Sequence, residues 1–484
     1  MLINLYASRI VLAALGVEDY GIYNVVGGVV AMLSFLSGAM ATGTQRYLTF
    51  ELGKNDFNRL KKVFTTSINI HLLISLIVVL LAETVGLWFF NNKMIIPESR
   101  MNAAYWVFQL SVISTIVLFI SVPYNAAIIA HEKMGTFAYI SILDALLKLL
   151  IAVLLLCVNT DCLITYAILM LCEQVLIRVI YGTYCKKHFP ETKYELVFDR
   201  KLFKEMLTFS GWNIWGSAAS VGMGQGVNIL LNVFFGPIVN AALGIAAQVQ
   251  GAVSQFAVGF QTAINPSIIK SYASRNINYM HNLVYRASRY SFFLLLCICL
   301  PVFLETDMLL SIWLKIVPEY ATIFLKLVLC VSVLQSVSNP LMTSAQATGK
   351  VKNYQSIVGG LLVFTLPLSY IILKIGGSPQ SVFLVEIVIC IIAFIVRLFM
   401  VKAMIGLSLT QYITSVIMRC VFVTIAAAIV PICVQHLLKE SIMSSVIVCL
   451  LSVISVILSS FVLGLPVNER KAIVQNLKRY IKLC

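Results

Sequence analysis

Ionisable side chains are scarce in this chain, so those set inside apolar stretches mark where its chemistry would sit. Asp144 and Lys148 stand four residues apart, a spacing that puts both on one helical face and lets them pair. Glu173 follows in the next apolar run. Carboxylates so placed can hand a proton or a sodium ion across a bilayer, although a pair such as Asp144–Lys148 is more often a structural neutralisation than a proton relay. Glu386 and Lys326 are weaker signals of the same kind. Arg9 lies within the first apolar run, where an arginine costs about 2.5–3.5 kcal/mol to insert, which argues against a lipid-facing side chain. Arg46 lies near the end of the second run. Guanidinium binds phosphate or pyrophosphate in bidentate fashion, so both arginines are candidates for an anionic ligand, with snorkelling to the interface the plain alternative for Arg46.

A second constellation is uncharged. Residues Met206 to Ile269 contain no Asp, Glu, Lys or Arg, yet they carry Asn213, Gln225, Asn228, Asn232, Asn240, Gln248, Gln250, Gln255, Gln261 and Asn265. Gln225, Asn228 and Asn232 recur at helical spacing, as do Gln248, Gln255 and Thr262, so each set forms one stripe. Amides in a bilayer avoid lipid and face protein or a wet cavity. Glycines at 216, 222, 224, 226, 244, 251 and 259 accompany them, so plain interhelical hydrogen bonding is an alternative for any single amide. Taken together, the stripes suit a hydrated surface that recognises neutral hydroxyls, as on a sugar chain.

The elements that must position these groups are membrane helices. Hydrophobic residues make up 60% of the chain, charged ones 11%, and the mean hydropathy is +0.94. Several runs exceed the length needed to cross hydrocarbon, and sustained two-residue alternation is missing, so the class is an all-α polytopic membrane protein rather than a β-barrel. The runs predict about fourteen helices, near residues 1–15, 20–47, 63–90, 102–130, 136–158, 162–185, 203–234, 238–268, 284–304, 320–347, 355–374, 380–402, 412–434 and 441–463. Residues 186–202 form a basic linker and 464–484 a basic tail. Lys54, Arg59, Lys61, Lys62, Lys186, Lys187, Arg286 and Arg289 gather with that tail on one side, while Lys93, Arg100, Lys315, Lys374 and Lys439 fall on the other. The positive-inside bias therefore puts both termini in the cytoplasm. It also explains most of the +15 charge without nucleic acid. In the tail, Ile473, Leu477, Tyr480 and Ile481 share a stripe suited to lipid headgroups. The twelve cysteines form no CxxC signature and read as small buried hydrophobes, so neither a metal nor a cofactor is implied. The first run is short, which predicts that the true first helix starts upstream of Met1.

One pattern is written through the chain twice. Gly21 and Gly28 match Gly244 and Gly251, and Lys54-Asn55 matches Arg275-Asn276. Pro97-Glu98 matches Pro318-Glu319, while Pro123, Ala130 and Lys133 match Pro340, Ala347 and Lys350. A duplicated bundle is the usual architecture of a transporter. The repeat predicts an N-lobe over residues 1–185, a C-lobe over 203–403 and two further helices within 404–463.

Several segments add a family likeness. LGVEDYGIYNVVGGVV from Leu15, FFGPIVNAALGIAAQV from Phe234, AINPSIIKSYA from Ala263 and ATGK from Ala347 together resemble the multidrug/oligosaccharidyl-lipid/polysaccharide exporter superfamily, and within it the polysaccharide flippases of Wzx type. The resemblance covers nearly the whole chain. It implies a V-shaped bundle of two six-helix lobes plus two C-terminal helices, cycling by alternating access around a cationic cavity. The implied substrate is an undecaprenyl-pyrophosphate-linked oligosaccharide, flipped from the cytoplasmic to the periplasmic leaflet of the bacterial inner membrane. Membrane lipids and polysaccharide polymerase or assembly proteins are the implied partners, and a proton or sodium gradient the implied drive. Arg9 and Arg46 lie where flippases of this superfamily carry cavity arginines, whereas the arginine of some relatives' eighth helix is missing here. Two other readings stand beside it. A cation-coupled multidrug antiporter of MATE type would need membrane carboxylates in the central cavity, and neither the Met206–Ile269 stretch of the seventh and eighth helices nor the visible part of the first offers one. An enzyme would need a sizeable outer loop with a catalytic constellation, and no connector provides one.

Overall fold

The computed structural model describes residues 2–31, 35–94, 96–157, 161–195, 198–314, 317–438, 441–472 and 475. Among them the chain is helical throughout, without strands. Twelve helices are long and apolar enough to cross a membrane. We number them with the two helices that precede them: α1 (Leu2–Ala31), α2 (Phe35–Lys54), α3 (Phe57–Asn92), α4 (Glu98–Ala130), α5 (Met134–Leu155), α6 (Cys162–His188), α7 (Arg200–Phe235), α8 (Pro237–Ala273), α9 (Ile277–Leu304), α10 (Ala321–Ala347), α11 (Lys352–Lys374), α12 (Ser381–Ile405), α13 (Leu409–Leu437) and α14 (Ile442–Gly464). The first two differ from the other twelve. α1 is interrupted at Gly16, leaving only Tyr6–Gly16 as a shorter apolar piece, and α2 carries Arg46 and Glu51 within its length.

The helices begin earlier than hydropathy indicates. α3 starts at Phe57 and α9 at Ile277, because their first turns, polar enough to interrupt an apolar run, are capped as helices. The side chains of Asp56 and Asn276 accept the backbone N–H groups of Arg59 and Tyr279, satisfying donors left open at a helix start. Asp161, Asp199, Ser408 and Ser441 do the same for α6, α7, α13 and α14.

The repeat survives as backbone geometry, with one adjustment. Asn55 and Arg275 both take positive φ, 58° and 60°. Around Asn55, the N–H groups of Asn55 and Asp56 reach Leu52 and Glu51. Around Arg275, those of Arg275 and Asn276 reach Tyr272 and Ser271. The equivalent residues are therefore Asn55 and Arg275, so the pairing of Lys54-Asn55 with Arg275-Asn276 is one residue out of register. Alignment by residue type favoured Lys54 on Arg275, whereas the turn matches the left-handed position. Glu132 and Gly349 form a second such pair, at φ 59° and 76°, directly before Lys133 and Lys350. Pro123 and Pro340 both lie inside helices, α4 and α10.

By backbone contacts the chain divides into two compact units, Met1–Ala218 and Ala219–Cys484. In the first, Val26, Phe90, Phe108 and Leu163 belong to a core built from α1, α3, α4 and α6. In the second, Leu231, Phe324, Leu329 and Phe383 belong to a core built from α7 to α10 and α12. The connector after α6 is fastened to the first unit, where Glu191 pairs with His131 and Glu195 with Lys61. The stripe expected of Ile473, Leu477, Tyr480 and Ile481 lies outside the described residues.

Candidate functional sites

In the first unit, α5 and α6 bring their ionisable residues to one cavity of about 400 Å³. Lys148 Nζ lies 2.7 Å from the Asp144 carboxylate, the pair that the four-residue spacing predicts. Glu173 is 4% exposed, lines the same cavity and lies against Asp144, and no donor reaches either of its oxygens. Arg178, five residues beyond Glu173, stacks over the Tyr124 ring at 3.8 Å. Two carboxyl groups and one ammonium thus meet in this cavity, the ion pair being that of Asp144 with Lys148. Gln45, Asn125, Ser121 and Tyr181 complete the polar wall, with Asn125 Nδ2 donating to the Tyr181 hydroxyl at 3.3 Å. The sequence reading overlooked these four, although Asn125 follows the helix-internal Pro123 by two residues. Such a pocket can take up one small cation and give it back.

The two arginines differ. Arg46 is 6% exposed, with its guanidinium carbon 4.6 Å from the ring centroids of Tyr47 and Phe50 and 5.6 Å from that of Phe209. It is packed under aromatic faces within its own unit, so its expected place as an open cavity ligand is corrected: the aromatic neighbours on α2 and α7 cover it. Arg9 is exposed on α1 with no hydrogen bond or ion pair to a described residue. Asn213 is buried and donates to the Phe209 carbonyl of its own helix at 3.2 Å, also away from an open surface.

In the second unit the amides divide into two sets. Gln250 donates to the Ser332 hydroxyl at 3.1 Å, Asn339 donates to Gln261 at 3.1 Å, and Thr343 donates to Asn265 at 3.0 Å. That is interhelical zipping of α8 to α10, the plainer of the two expected roles. The predicted stripes are different. Gln225 and Asn232 on α7 are exposed with Asn228 half-buried between them, and Gln248 and Gln255 on α8 are exposed above half-buried Thr262. An uncharged, hydrogen-bonding face is therefore left uncovered on each helix. Elsewhere in this unit Lys326 lies 3.9 Å from Asp307, and Glu386 is half-buried on α12.

No protein-family profile matches the sequence, and no curated protein matches it. Solved structures do. A crystal structure of a MATE point mutant superposes with a TM-score of 0.74 at 14% identity, covering 83% of this chain and 92% of that one. The outward-facing conformation of a multidrug resistance MATE family transporter of the MOP superfamily gives 0.73 at 14% identity, covering 84% and 91%. A MOP superfamily transporter from Pyrococcus furiosus, described by the reverse polarity of its binding pocket as suggesting a different function, gives 0.70 at 15% identity, covering 83% and 92%. This chain therefore has the fold of MATE-type membrane transporters.

Proposed function

We propose that the protein is a secondary transporter of the bacterial inner membrane, with both termini in the cytoplasm. Its substrate is an undecaprenyl-pyrophosphate-linked oligosaccharide, the repeat unit of an O-antigen, capsule or exopolysaccharide, flipped to the periplasmic leaflet by alternating access. The observation that carries this reading is the pair of exposed amide stripes, Gln225–Asn232 and Gln248–Gln255, on helices whose membrane portions hold no charge. Amides donate to and accept from sugar hydroxyls, whereas a cationic drug calls for carboxylates. Arg9, exposed and without a partner among the described residues, is the cation available for a pyrophosphate. Arg46 serves the fold rather than the ligand.

A cation-coupled multidrug antiporter is the second reading, favoured by the Asp144–Lys148–Glu173 cavity and by the named fold neighbours. The cavity fits both readings, since a flippase also needs a driving ion. One experiment separates them. In a deletion strain, a flippase leaves lipid-linked oligosaccharide accumulated in the cytoplasmic leaflet, and surface glycan returns with the wild-type gene but not with Gln225→Ala/Gln248→Ala/Gln255→Ala. Normal glycan together with new sensitivity to cationic dyes overturns the flippase in favour of the antiporter.

A further inference from the structure

Two arginines of the second unit bond one acid, and two more lie nearby. Glu469, in the helical residues 467–472 that follow α14, accepts from Arg286 Nε at 2.9 Å, from Arg289 Nη2 at 2.9 and 3.1 Å, and from the Tyr290 hydroxyl at 2.8 Å. Arg289 also donates to the Ser415 carbonyl, and Arg419 to the Gly464 carbonyl at 3.1 Å. Arg419 lies within electrostatic reach of Arg289, Glu469 and Arg470. The half-buried Arg470 makes no side-chain hydrogen bond to a described residue.

The charge does not balance: among the described residues, Arg286 and Arg289 bond one carboxylate, while Arg419, within its reach and beside Arg470, bonds only a carbonyl. Each guanidinium carries five N–H donors, and the protein acceptors named above occupy only part of that set. Like charges gathered at the ends of membrane helices repel unless an anion joins them. The same region offers a place for something greasy. An apolar cleft of about 270 Å³ runs between α9, α10, α12 and α13, walled by Phe292, Val337, Phe394, Cys420, Val421 and Ile425. The two features adjoin on α13, where Cys420 of the cleft wall directly follows Arg419.

We propose that this arginine cluster and cleft form a binding site for an anionic phospholipid. Arg286, Arg419 and Arg470 hold the phosphodiester, Glu469 fixes Arg289 behind them, and one acyl chain lies along the cleft. Basic pockets between membrane helices bind anionic headgroups in this way. The site belongs to the second unit alone and is independent of the transported substrate.

The test uses the full chain in dodecyl maltoside, titrated with dioleoyl phosphatidylglycerol or dioleoyl phosphatidylcholine while the thermal unfolding midpoint is followed. Phosphatidylglycerol raises the midpoint and phosphatidylcholine does not. Apparent affinity falls about fivefold for each arginine removed in Arg419→Gln and Arg470→Gln, and Arg419→Lys/Arg470→Lys retains most of it. Equal shifts from the two lipids overturn the proposal, as does wild-type affinity in the Gln variants. A shift reproduced by inorganic phosphate alone marks a free-anion site and overturns it too. Should the Gln variants fail to fold, native mass spectrometry of the wild type and the Lys variant, taken from an equimolar mixture of both lipids, decides. Retained phosphatidylglycerol in excess supports the site, and equal retention sinks it.

Discussion

Gly16 and Gly236 share one unusual backbone conformation, φ 77° and ψ 169° in the first and φ 78° and ψ −171° in the second. Gly16 breaks α1 in two, and Gly236 stands where α7 hands over to α8. This region of backbone space is open almost only to glycine. Neither position crowds an added Cβ, so the cost of replacement is conformational rather than steric. Gly16→Ala and Gly236→Ala should each lower stability by about 1–3 kcal/mol. Gly406, at φ 71° and ψ 24°, is in the ordinary left-handed region, so Gly406→Asn should cost well under that. Thermal unfolding in detergent checks all three, and equal losses would refute the distinction.

Lys148 pairs with Asp144 in a cavity that also holds Glu173. Lys148→Met should destabilise by about 1–3 kcal/mol, below the range for a fully buried pair because both partners are near 30% exposed. Replacing the pair together, Asp144→Leu/Lys148→Leu, should recover most of that stability. Transport should fail in both variants and in Glu173→Gln, measured as flux into proteoliposomes under an imposed proton or sodium gradient. Gradient-driven flux in Glu173→Gln equal to wild type would remove that residue from ion coupling.

The two arginines should part experimentally. Arg46→Ala loses cation–π contact with three rings and should cost about 2 kcal/mol, with Arg46→Lys recovering little because an ammonium cannot stack. Arg9→Ala should change stability by no more than about 0.5 kcal/mol, as expected of an exposed site, yet abolish surface glycan. Normal glycan in a well-expressed Arg9→Ala strain would deny that residue a role in substrate handling.

Burial decides which ion pairs matter around Glu469. Arg289 is 3% exposed and Arg286 47%. Removing the acid by Glu469→Ala leaves Arg289 buried without its anion and should cost about 3–5 kcal/mol. Arg286→Ala removes an exposed partner and should cost at most about 1 kcal/mol. Chemical denaturation of the two variants gives the comparison, and a milder loss in Glu469→Ala than in Arg286→Ala would contradict it.

Asp199 predicts an acid-side effect. The backbone N–H groups of Leu202 and Lys201 hold its carboxyl below the usual range, with a smaller opposing effect of burial. A depressed folded-state value means that the ionised form stabilises the start of α7 above the unfolded value, near pH 4, and that this support is lost as pH falls through the folded one. Amide-exchange protection at Lys201 and Leu202, relative to the intrinsic rate, should therefore fall below pH 4 in the wild type and vary less with pH in Asp199→Asn.

Hydropathy located the apolar bodies of α3 to α14, because a membrane helix is a local property of its own sequence, and missed only the polar first turns of such helices as α3 and α9. The Asp144–Lys148 pair was legible for the same reason: both partners lie on one turn. Arg46 was not, since its burial depends on Phe209, far along the chain on α7. Glu469 escaped notice because its meaning comes from α9, which no local pattern connects to it. The amides of α8 were legible as polar but not as two classes, since only α10 separates Gln261, which it bonds, from Gln255, which it leaves open.

The fastening of Glu191 to His131 and of Glu195 to Lys61 has a mechanical consequence. The two pairs tie the connector to different partners, Glu191 to the turn after α4 and Glu195 to the start of α3, so losing either leaves the other as a second anchor. Glu191 is 6% exposed and Glu195 50%, so the inner anchor is the one whose loss costs more.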